Sequence, residues 1–461
     1  MDYLALDIGS SFIKAAIIDI SHRSIHDSRV SSQISQMNTP SGRFEVDAEL
    51  LFCEVEQLIK EYTAEYPGLI VGILLSTQMH GFVLAGPDGT PLSPYISWQD
   101  ERCLEKAPET ECSYLEIMER MISREEMAES SVYLKPYLAM CNLYTMLRQG
   151  YEPPPHTHFC TLGSYLILRL TGNHICHLTN ACPTGFANTV RGVWNRKLIE
   201  KTGCGAFVFP QICNDLRVCG YSRFGGVEIP VYPDIGDHQI CALGVLARPE
   251  KDLIVNIGTA GQIARISRGF CRGEYETRPF FEGCYLNTVS RMPGGRNLDV
   301  IVNFFVDVYR YISDKDISAS YIWSRAVESM TGLESHGLVT DTSFHKTERG
   351  SSGFITGITS DNLTVHNLFA ACFADIGQAY SDCILRICPD RKGVERLVFS
   401  GGLLSKTPLL RQAICAATGL PAAIMREENA VYIGLYRIAL LCAGIYRSLE
   451  QTAEDSVYGL L

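Results

Sequence analysis

The chain of 461 residues lacks several features that each indicate a particular class of protein. Its 18 cysteines form no C-x-x-C pair, its 40 lysines and arginines form no basic block, and no apolar run is long enough to span a bilayer. Acidic residues number 51, so the net charge is −11. This balance argues against nucleic-acid binding by phosphate neutralisation and against a polybasic membrane anchor, so we expect neither as a partner.

The cysteines favour reduced thiols over disulfides, because several lie inside apolar runs, as Cys241, Cys372 and Cys415 do. The first residues show no basic region followed by an apolar one, so we expect no secretory signal and a cytoplasmic protein. A hydrophobic content of 46% and a charged content of 20% are typical of globular proteins. At roughly 150 residues per domain, the length predicts two or three domains.

The first twenty residues carry the most informative pattern. Residues 3–8 and 14–20 are apolar runs that predict two β-strands, and Gly9, Ser10 and Ser11 form the turn between them, just after Asp7. One interpretation is a structural turn with a capping aspartate. The other is a phosphate-binding turn, in which glycine lets backbone N–H groups approach phosphate oxygens and Asp7 orients Mg²⁺ through water.

The same pattern recurs in the second half of the chain. Residues 255–266 repeat the Ile-Gly-hydroxyl sequence and the closing Ala-x-Ile of residues 6–17, with Gly258 and Thr259 at the turn. A single copy would mean little, but two copies favour phosphate binding and a duplicated architecture. We therefore predict an α/β fold of two lobes, residues 1–245 and residues 246–461, that face a shared cleft.

A third glycine-containing turn follows a strand predicted at residues 395–400. Gly401 and Gly402 come directly after this strand, and a helix is predicted to begin at Pro408. Such turns bring backbone close to a nucleotide in α/β folds, although most of them only close the chain. The sequence contains no G-x-x-x-x-G-K-[ST], which excludes a P-loop enzyme.

Asp237 lies in a Gly-Asp-His-Gln sequence between a predicted strand at 227–233 and an apolar helical run at 240–247. As a helix N-cap it would stabilise the helix by about 1 kcal/mol. As a general base it would take a hydroxyl proton during phosphoryl transfer and raise the rate by about 10²–10⁴. The pattern does not separate these interpretations, and Asp234 is a competing carboxylate.

Gln78, Met79 and His80 follow a buried strand predicted at residues 69–75. The carboxyl ends of buried strands are where α/β proteins place ligand contacts. The alternative is that His80 only pairs with backbone.

Trp98, Gln99 and Asp100 combine an aromatic face with an amide and a carboxylate. This combination suits a polyol, which presents both C–H faces and hydroxyl groups. The alternative is an ordinary polar surface segment.

Together these segments resemble the FGGY family of carbohydrate kinases, of the superfamily that includes Hsp70 and actin, over roughly residues 3–445. The resemblance implies two actin-like, ribonuclease H-like lobes around a cleft for ATP, Mg²⁺ and a sugar. It implies that Asp237 is the catalytic base and that Asp7 is the metal contact. It places ATP contacts at Asp7, Gly9, Ser10, Ser11, Lys14, Gly258, Thr259, Gly401, Gly402 and Ser405, and sugar contacts at Gln78, Met79, His80, Trp98, Gln99, Asp100 and Gln239.

Details favour the branch of this family that phosphorylates sedoheptulose. Residues 97–103 are similar to its Trp-Gln-Asp-Gly-Arg-Cys, and the Gly-Asp-x-Gln around Asp237 is similar to its version of that motif. The chain departs from the family's Lys-x-x-Trp motif, because Leu138 stands where the motif has tryptophan, three residues after Lys135. The resemblance implies ATP-dependent phosphorylation of a ketose at its terminal hydroxyl, with sedoheptulose as the first choice and xylulose as the second.

Proteins of other classes share these lobes, namely chaperones, filaments, sugar-sensing regulators and non-catalytic sugar-binding homologues. A non-catalytic sugar-binding or regulatory homologue is the alternative of another class; the absence of a visible DNA-binding or substrate domain and the presence of both Asp7 and Asp237 favour the kinase over it. The sequence does not determine the oligomeric state, and a homodimer stays open.

Overall fold

The computed structural model describes residues 1–33, 35–108, 110–130, 132–246, 248–345, 347–425 and 429–453. The strands within these ranges are β1 Asp2–Ile8, β2 Phe12–Asp19, β3 Ser24–Gln33, β4 Glu45–Val46, β5 Ile70–Thr77, β6 Phe82–Ala85, β7 Tyr95–Ile96, β8 His158–Thr161, β9 Ile175–His177, β10 Ala187–Asn188, β11 Val193–Trp194, β12 Gln211–Cys213, β13 Gly220–Phe224, β14 Val227–Gly236, β15 Asp252–Ile257, β16 Gly261–Ser267, β17 Glu276–Pro279, β18 Tyr285–Met292, β19 Val339–Asp341, β20 Phe354–Thr356, β21 Arg396–Ser400 and β22 Ala422–Ile424.

The helices within the same ranges alternate with these strands over most of the chain. They are α1 Ala48–Glu65, α2 Tyr114–Met121, α3 Arg124–Met127, α4 Ala139–Arg148, α5 Leu162–Thr171, α6 Leu178–Ala181, α7 Arg196–Lys201, α8 Asp237–Val245, α9 Gly295–Ser313, α10 Ala319–Ser329, α11 Val365–Ile387, α12 Gly402–Lys406, α13 Pro408–Thr418, α14 Ala430–Cys442 and α15 Leu449–Thr452. In this part of the chain, no helix combines the length and the apolar composition needed to cross a membrane.

Two six-stranded sheets, in which five strands follow an equivalent order and the sixth lies at opposite edges, form the centres of two lobes. Lobe one is built on the order β13-β14-β5-β1-β2-β3, and lobe two on the order β22-β21-β15-β16-β18-β17. In each sheet the opening strand, β1 or β15, pairs antiparallel with the next strand and parallel with a later one, β5 or β21. The sequence repeat therefore corresponds to the same position within the five equivalent strands, and the prediction of an α/β fold with two lobes is confirmed.

Strand β1 is apolar on both faces because helices cover both faces of its sheet. Leu4 and Leu6 belong to the core that contains residues of α1 and α5. Tyr3 and Ala5 point to the opposite face and join a core with residues of α8 and α14. Successive side chains of a strand alternate between faces, so this uninterrupted apolar run is what a doubly covered strand requires.

Helices α8 and α14 lie between the two sheets and connect the lobes. Ile240 packs with lobe one, whereas Ala242 and Val245, on the same helix, pack with Ile254 of lobe two. The two helices approach so closely that a Cβ at Gly434 would overlap the carbonyl oxygen of Ile240. The first residue of α8 is therefore held by contacts from both lobes.

Several local expectations from the sequence agree with this structure. The five strands predicted at residues 3–8, 14–20, 69–75, 227–233 and 395–400 begin and end within about three residues of β1, β2, β5, β14 and β21, and α13 begins at Pro408. Helix α8 begins at Asp237, three residues before the apolar run that was used to predict it, and Ala247 lies outside the described residues. All 18 cysteines have free thiols.

Candidate active site

A cavity of about 640 Å³ lies between the two lobes. Strands β1, β5 and β14 are parallel and end side by side, because Ile8 and Gly236 both pair with Thr77 of β5. The residues that follow these three strand ends therefore meet at one edge of the sheet. The sequence-predicted site residues that line the cavity are Asp7, Gly9, Ser10, Ser11, Lys14, Met79, His80, Trp98 and Asp237.

The turn between β1 and β2 presents backbone and hydroxyl groups above a buried carboxylate. The N–H of Gly9 donates to the carbonyl oxygen of Phe12 at 3.1 Å, and Asp7 pairs across the hairpin with Lys14. Ser76 Oγ donates to Asp7 Oδ1 at 3.2 Å. Burial raises the pKa of the Asp7 carboxyl, although Lys14 and the Ser76 hydroxyl oppose the rise. A cation beside this carboxylate would favour its ionised form.

Gln78 supports this turn from below and does not line the cavity. Its Nε2 donates to the carbonyl oxygen of Gly9 at 2.9 Å, while its Oε1 is buried without a hydrogen-bond partner among the described residues. The next residue, Met79, lines the cavity and packs so closely against Gly236 that a Cβ there would lie 2.5 Å from Met79 Sδ. Gln78 thus contacts the predicted phosphate turn and lies outside the described cavity lining.

His80 enters the cavity from a left-handed backbone conformation, with φ of +70°. Its Nδ1 lies 2.8 Å from the carbonyl oxygen of Pro183, and its ring meets the Tyr137 ring edge-on, with centroids 4.8 Å apart. Because a carbonyl only accepts, Nδ1 must carry the proton. Burial lowers the pKa of His80 to about 4, so at neutral pH the ring is neutral and its Nε2 can accept a hydrogen bond.

Asp237 is the first residue of α8, where its carboxylate faces the cavity. Its Oδ1 accepts the backbone N–H of His238 at 2.7 Å. Burial raises the pKa of Asp237 to about 7 and the charge of Asp7 adds to the rise, while the His238 N–H and Arg278 oppose it. A carboxylate with a pKa near neutrality is suited to accept a proton from a hydroxyl group.

Asp234, the competing carboxylate, is fully buried and engaged with lobe one. Its Oδ1 accepts the N–H of His177 at 2.9 Å, and its Oδ2 accepts Asn180 Nδ2 at 3.0 Å and the Thr161 hydroxyl at 3.4 Å. It is not among the described residues that line the cavity. Of the two carboxylates, only Asp237 can meet a substrate there.

The segment of residues 98–100 divides between the cavity and the interior. Trp98 lines the cavity with 40% of its surface exposed, whereas Gln99 is exposed outside the lining. Asp100 is fully buried, and its two oxygens accept Arg102 Nε and Nη2, each at 2.8 Å, and the N–H of Phe44 at 2.8 Å. The structure therefore does not place Gln99 or Asp100 in the cavity, because an internal arginine occupies the Asp100 carboxylate.

The turn of lobe two that carries Gly258 and Thr259 lies beside the cavity and is fastened to α9. The carbonyls of these two residues accept the N–H groups of Gly295 and Arg296, both at 2.9 Å. The cavity itself is lined by the following residues 260–262 and by Asn256. Thr259 is exposed at this turn, next to the lining residues.

Gly401, Gly402 and Ser405 lie where β21 ends next to β15, outside the cavity lining. Gly401 has φ of +93°, and a Cβ there would lie 2.5 Å from the carbonyl oxygen of Ile257, so this close approach of two backbones requires glycine. Gly402 begins α12, and Ser405 Oγ donates to its carbonyl at 3.0 Å. Ser400, just before this turn, accepts Asn256 Nδ2 at 3.0 Å, which joins it to the cavity wall.

The remaining predicted sugar contact, Gln239, faces lobe two. Its Nε2 donates to the carbonyl oxygen of Pro279 at 3.3 Å, and its Oε1 is buried without a hydrogen-bond partner among the described residues. It is fully buried and lies outside the described cavity lining. Gln239 thus connects α8 to β17.

A polar network that the sequence did not indicate lies where Tyr137, His238 and Arg278 line the cavity. Arg278 Nη2 pairs with Glu276 Oε2 at 2.7 Å, Tyr137 Oη donates to Glu276 Oε1 at 2.7 Å, and Arg278 Nη1 lies 2.8 Å from His238 Nδ1. The guanidinium of Arg291 lies 5.2 Å from the Tyr137 ring centroid. The only signal in the sequence was an acid and an arginine two residues apart in the short strand β17.

Two models of known protein families match this chain. One is described as the FGGY family of carbohydrate kinases, N-terminal domain, and matches residues 2–244. The other is described as the C-terminal domain of the same family and matches residues 335–443.

Individual relatives show the same likeness over nearly the whole chain. The sedoheptulokinase of Homo sapiens is 23% identical over 476 residues, which cover 93% of this chain and 95% of that protein. The solved gluconate kinase from Lactobacillus acidophilus superposes with a TM-score of 0.84 at 19% identity and covers 99% of this chain and 92% of its own. A ligand-bound xylulose kinase from the same organism gives a TM-score of 0.83 at 18% identity, with coverage of 99% and 92%.

Proposed function

Because this chain belongs to the FGGY family of carbohydrate kinases, we propose that it transfers the γ-phosphoryl group of ATP to the terminal hydroxyl of a ketose. Sedoheptulose is the first choice, supported by the full-length likeness to a sedoheptulokinase and by the sequence of residues 97–103. Xylulose is the second, supported by the likeness in fold to a xylulose kinase and by the Met-His sequence at residues 79–80.

The observation that carries this proposal is the position of Asp237. It lies at the start of a helix held by both lobes, faces the cavity, and has a pKa raised to about 7 by burial and by Asp7. Asp234 supplies the contrast, since its oxygens are occupied by hydrogen bonds from Asn180 and other donors of lobe one. A carboxylate that can take up a proton near neutral pH is what a phosphoryl acceptor requires of a base.

In the proposed reaction, Asp237 accepts the proton of the terminal hydroxyl as its oxygen forms a bond to the γ-phosphorus. The bond from that phosphorus to the β,γ-bridging oxygen breaks, and ADP leaves with the electron pair. His80 and Trp98 hold the sugar, the first through its Nε2 acceptor and the second through its exposed ring. The turns at residues 9–11 and 258–260 approach the phosphates from opposite lobes, and closure of the lobes excludes water.

The residues of this cavity fit a bound Mg²⁺. Asp7 and Asp237 repel each other, as the effect of Asp7 on the pKa of Asp237 indicates, and a cation would relieve that repulsion. The described residues contain no cluster of three or more His, Cys, Asp or Glu side chains that could form an all-protein site. Mg²⁺ usually binds one or two carboxylates together with phosphate oxygens and water. Asp7 would hold the ion, which when bound neutralises charge on the phosphates.

A coupled assay of ADP release tests the proposal across ketoses, polyols and aldonates, each compared with ATP alone. We expect sedoheptulose to give the highest kcat/KM. A higher value for xylulose would replace sedoheptulose as the substrate, and the absence of stimulation by every acceptor would contradict sugar kinase activity.

A further inference from the structure

A chain of hydrogen bonds crosses from lobe one to lobe two and back at the sugar end of the cavity. It begins at Tyr137 in lobe one, passes through Glu276 and Arg278 of strand β17 in lobe two, and ends at His238, directly after the base. Glu276 and Arg278 are both more than nine-tenths buried. The link from Tyr137 to Glu276 and the link from Arg278 to His238 both join lobe two to the acceptor site.

The contact between Arg278 and His238 determines which ring nitrogen of the histidine carries a proton. An arginine guanidinium can only donate, so His238 Nδ1 must accept at 2.8 Å, and the neutral ring then carries its proton on Nε2. Burial and the adjacent Arg278 lower the pKa of His238 to about 3, so the ring is neutral at physiological pH. His80 has the opposite tautomer, because its Nδ1 donates to the Pro183 carbonyl. The cavity therefore presents one histidine donor and one histidine acceptor.

The pairing of Glu276 with Arg278 explains how lobe two can hold the guanidinium in place. Glu276 Oε2 accepts Arg278 Nε at 3.2 Å and Nη2 at 2.7 Å, which orients the planar fork and leaves Nη1 for His238. Tyr137 donates to the other oxygen of the same carboxylate. Because a buried ion pair is costly to desolvate, it is weak evidence for stability, and a positioning role is the better account of its presence here.

We propose that Arg278 is a positioning residue supplied by lobe two, which holds His238 as the Nε2–H tautomer beside the catalytic base. This inference rests on the proposed sugar kinase function, in which a neutral His238 donates to a sugar oxygen while His80 accepts from a sugar hydroxyl. A sugar oxygen needs a hydrogen-bond donor and a sugar hydroxyl needs an acceptor. Arg278 fixes His238 as the donor, and His80 is the acceptor. Recognition of the sugar consequently depends on lobe two being in place against lobe one.

The direct test is ¹⁵N NMR of the imidazole rings in the full-length protein, with the His238 signal assigned from a His238→Gln variant. We expect the wild type to show His238 as the Nε2–H tautomer, and Arg278→Met to lose that single tautomer. Arg278→Lys keeps the charge but not the fork, so it should restore the tautomer in part. The double variant Glu276→Gln/Arg278→Met removes the charged pair together, which avoids an unpaired buried carboxylate.

Kinetics give a second readout that a merely structural role would not move. We expect Arg278→Met to lower kcat/KM for the sugar by about 10²-fold while KM for ATP changes by less than about threefold, because the displaced group lies at the sugar end. Arg278→Lys should recover part of the loss. The matched control is Arg268→Met, which removes an exposed arginine of lobe two that pairs with Glu250 at 3.1 Å and should leave both constants unchanged.

Two results would overturn the inference, namely an unchanged His238 tautomer in the folded Arg278→Met protein or sugar kinetics equal to those of Arg268→Met. A wild type that releases no ADP with any sugar would instead contradict the proposed function. The NMR comparison would still decide whether Arg278 sets the tautomer of His238.

Discussion

Replacing Asp237 with asparagine should remove proton acceptance while it keeps the structure of the site and its binding of ATP. An asparagine oxygen can accept the His238 N–H that Asp237 Oδ1 accepts at 2.7 Å, so the start of α8 and the shape of the cavity are kept. The variant loses the negative charge and with it the proton acceptor, which contributes about 10²–10⁴ in rate. We expect sugar-dependent ADP release to fall by that factor while the Kd for ATP changes by less than about threefold.

The same substitution should stabilise the folded protein in a pH-dependent way. Burial raises the pKa of Asp237 from an ordinary value of 3.8 to about 7. At about 1.4 kcal/mol per pKa unit, keeping this carboxylate ionised above pH 7 costs the folded state on the order of 4 kcal/mol. The cost is absent below the unfolded pKa and complete above the folded one. Asp237→Asn should therefore raise the free energy of unfolding by up to about 4 kcal/mol near pH 8 and by little near pH 4.

The measurements are coupled ADP release, calorimetric titration with ATP, and denaturant unfolding at both pH values. The matched control is Asp234→Asn, because burial also raises the pKa of Asp234 to about 7 but its carboxyl lies outside the described cavity lining, so turnover per folded molecule should be retained. An Asp237→Asn protein with more than about a tenth of the wild-type turnover would refute the base assignment. A protein less stable than wild type near pH 8 would refute the argument from burial.

Three further predictions follow from individual contacts. The kcat/KM for the sugar should fall as the pH drops below about 7, because Asp237 must be ionised to accept a proton, and a profile unchanged between about pH 6 and 8 would contradict this. Gly401→Ala should raise KM for ATP several-fold and lower the Tm, since φ is +93° and a Cβ would lie 2.5 Å from the Ile257 carbonyl; an unchanged KM for ATP argues against a nucleotide role for this turn. Arg102→Met should lower the free energy of unfolding by about 3–5 kcal/mol, because it leaves Asp100 buried without its ionic partner. Urea denaturation measures this, and a loss below about 1 kcal/mol would contradict it.

Much of the fold could be predicted because its signals are local. The hairpin at residues 3–20, its repeat at residues 255–266 and the start of α13 at Pro408 each depend on residues within a short stretch of chain. An apolar run, a glycine turn and a proline at the first helical position determine their conformation with little help from the rest of the molecule. The repeat also predicted two lobes, since equivalent hairpins occupy equivalent places in the two sheets.

The candidate site could be predicted where its residues lie at or near the ends of strands. Asp7 and Met79 were found because each lies where a strand of the first sheet ends, and parallel neighbours end at the same edge. Asp100 also belongs to a polar segment that the sequence analysis predicted to contact ligand. Its carboxylate instead accepts hydrogen bonds from Arg102 and from the N–H of Phe44, which is 56 residues away. No local pattern reports such a partner.

The sequence by itself determined the repeated hairpins with their glycine turns, three further strands of the two sheets and the two-lobe plan, because these follow from short-range backbone preferences and apolar periodicity. Tertiary structure alone showed which of the two carboxylates faces the cavity, since Asn180 and other donors surround Asp234 whereas Asp237 lines the cavity. It alone brought Glu276 to Tyr137, 139 residues apart, and so placed Arg278 of lobe two in the cavity wall beside Tyr137. Such contacts depend on how whole sheets and helices pack, and the sequence near each residue does not specify that packing.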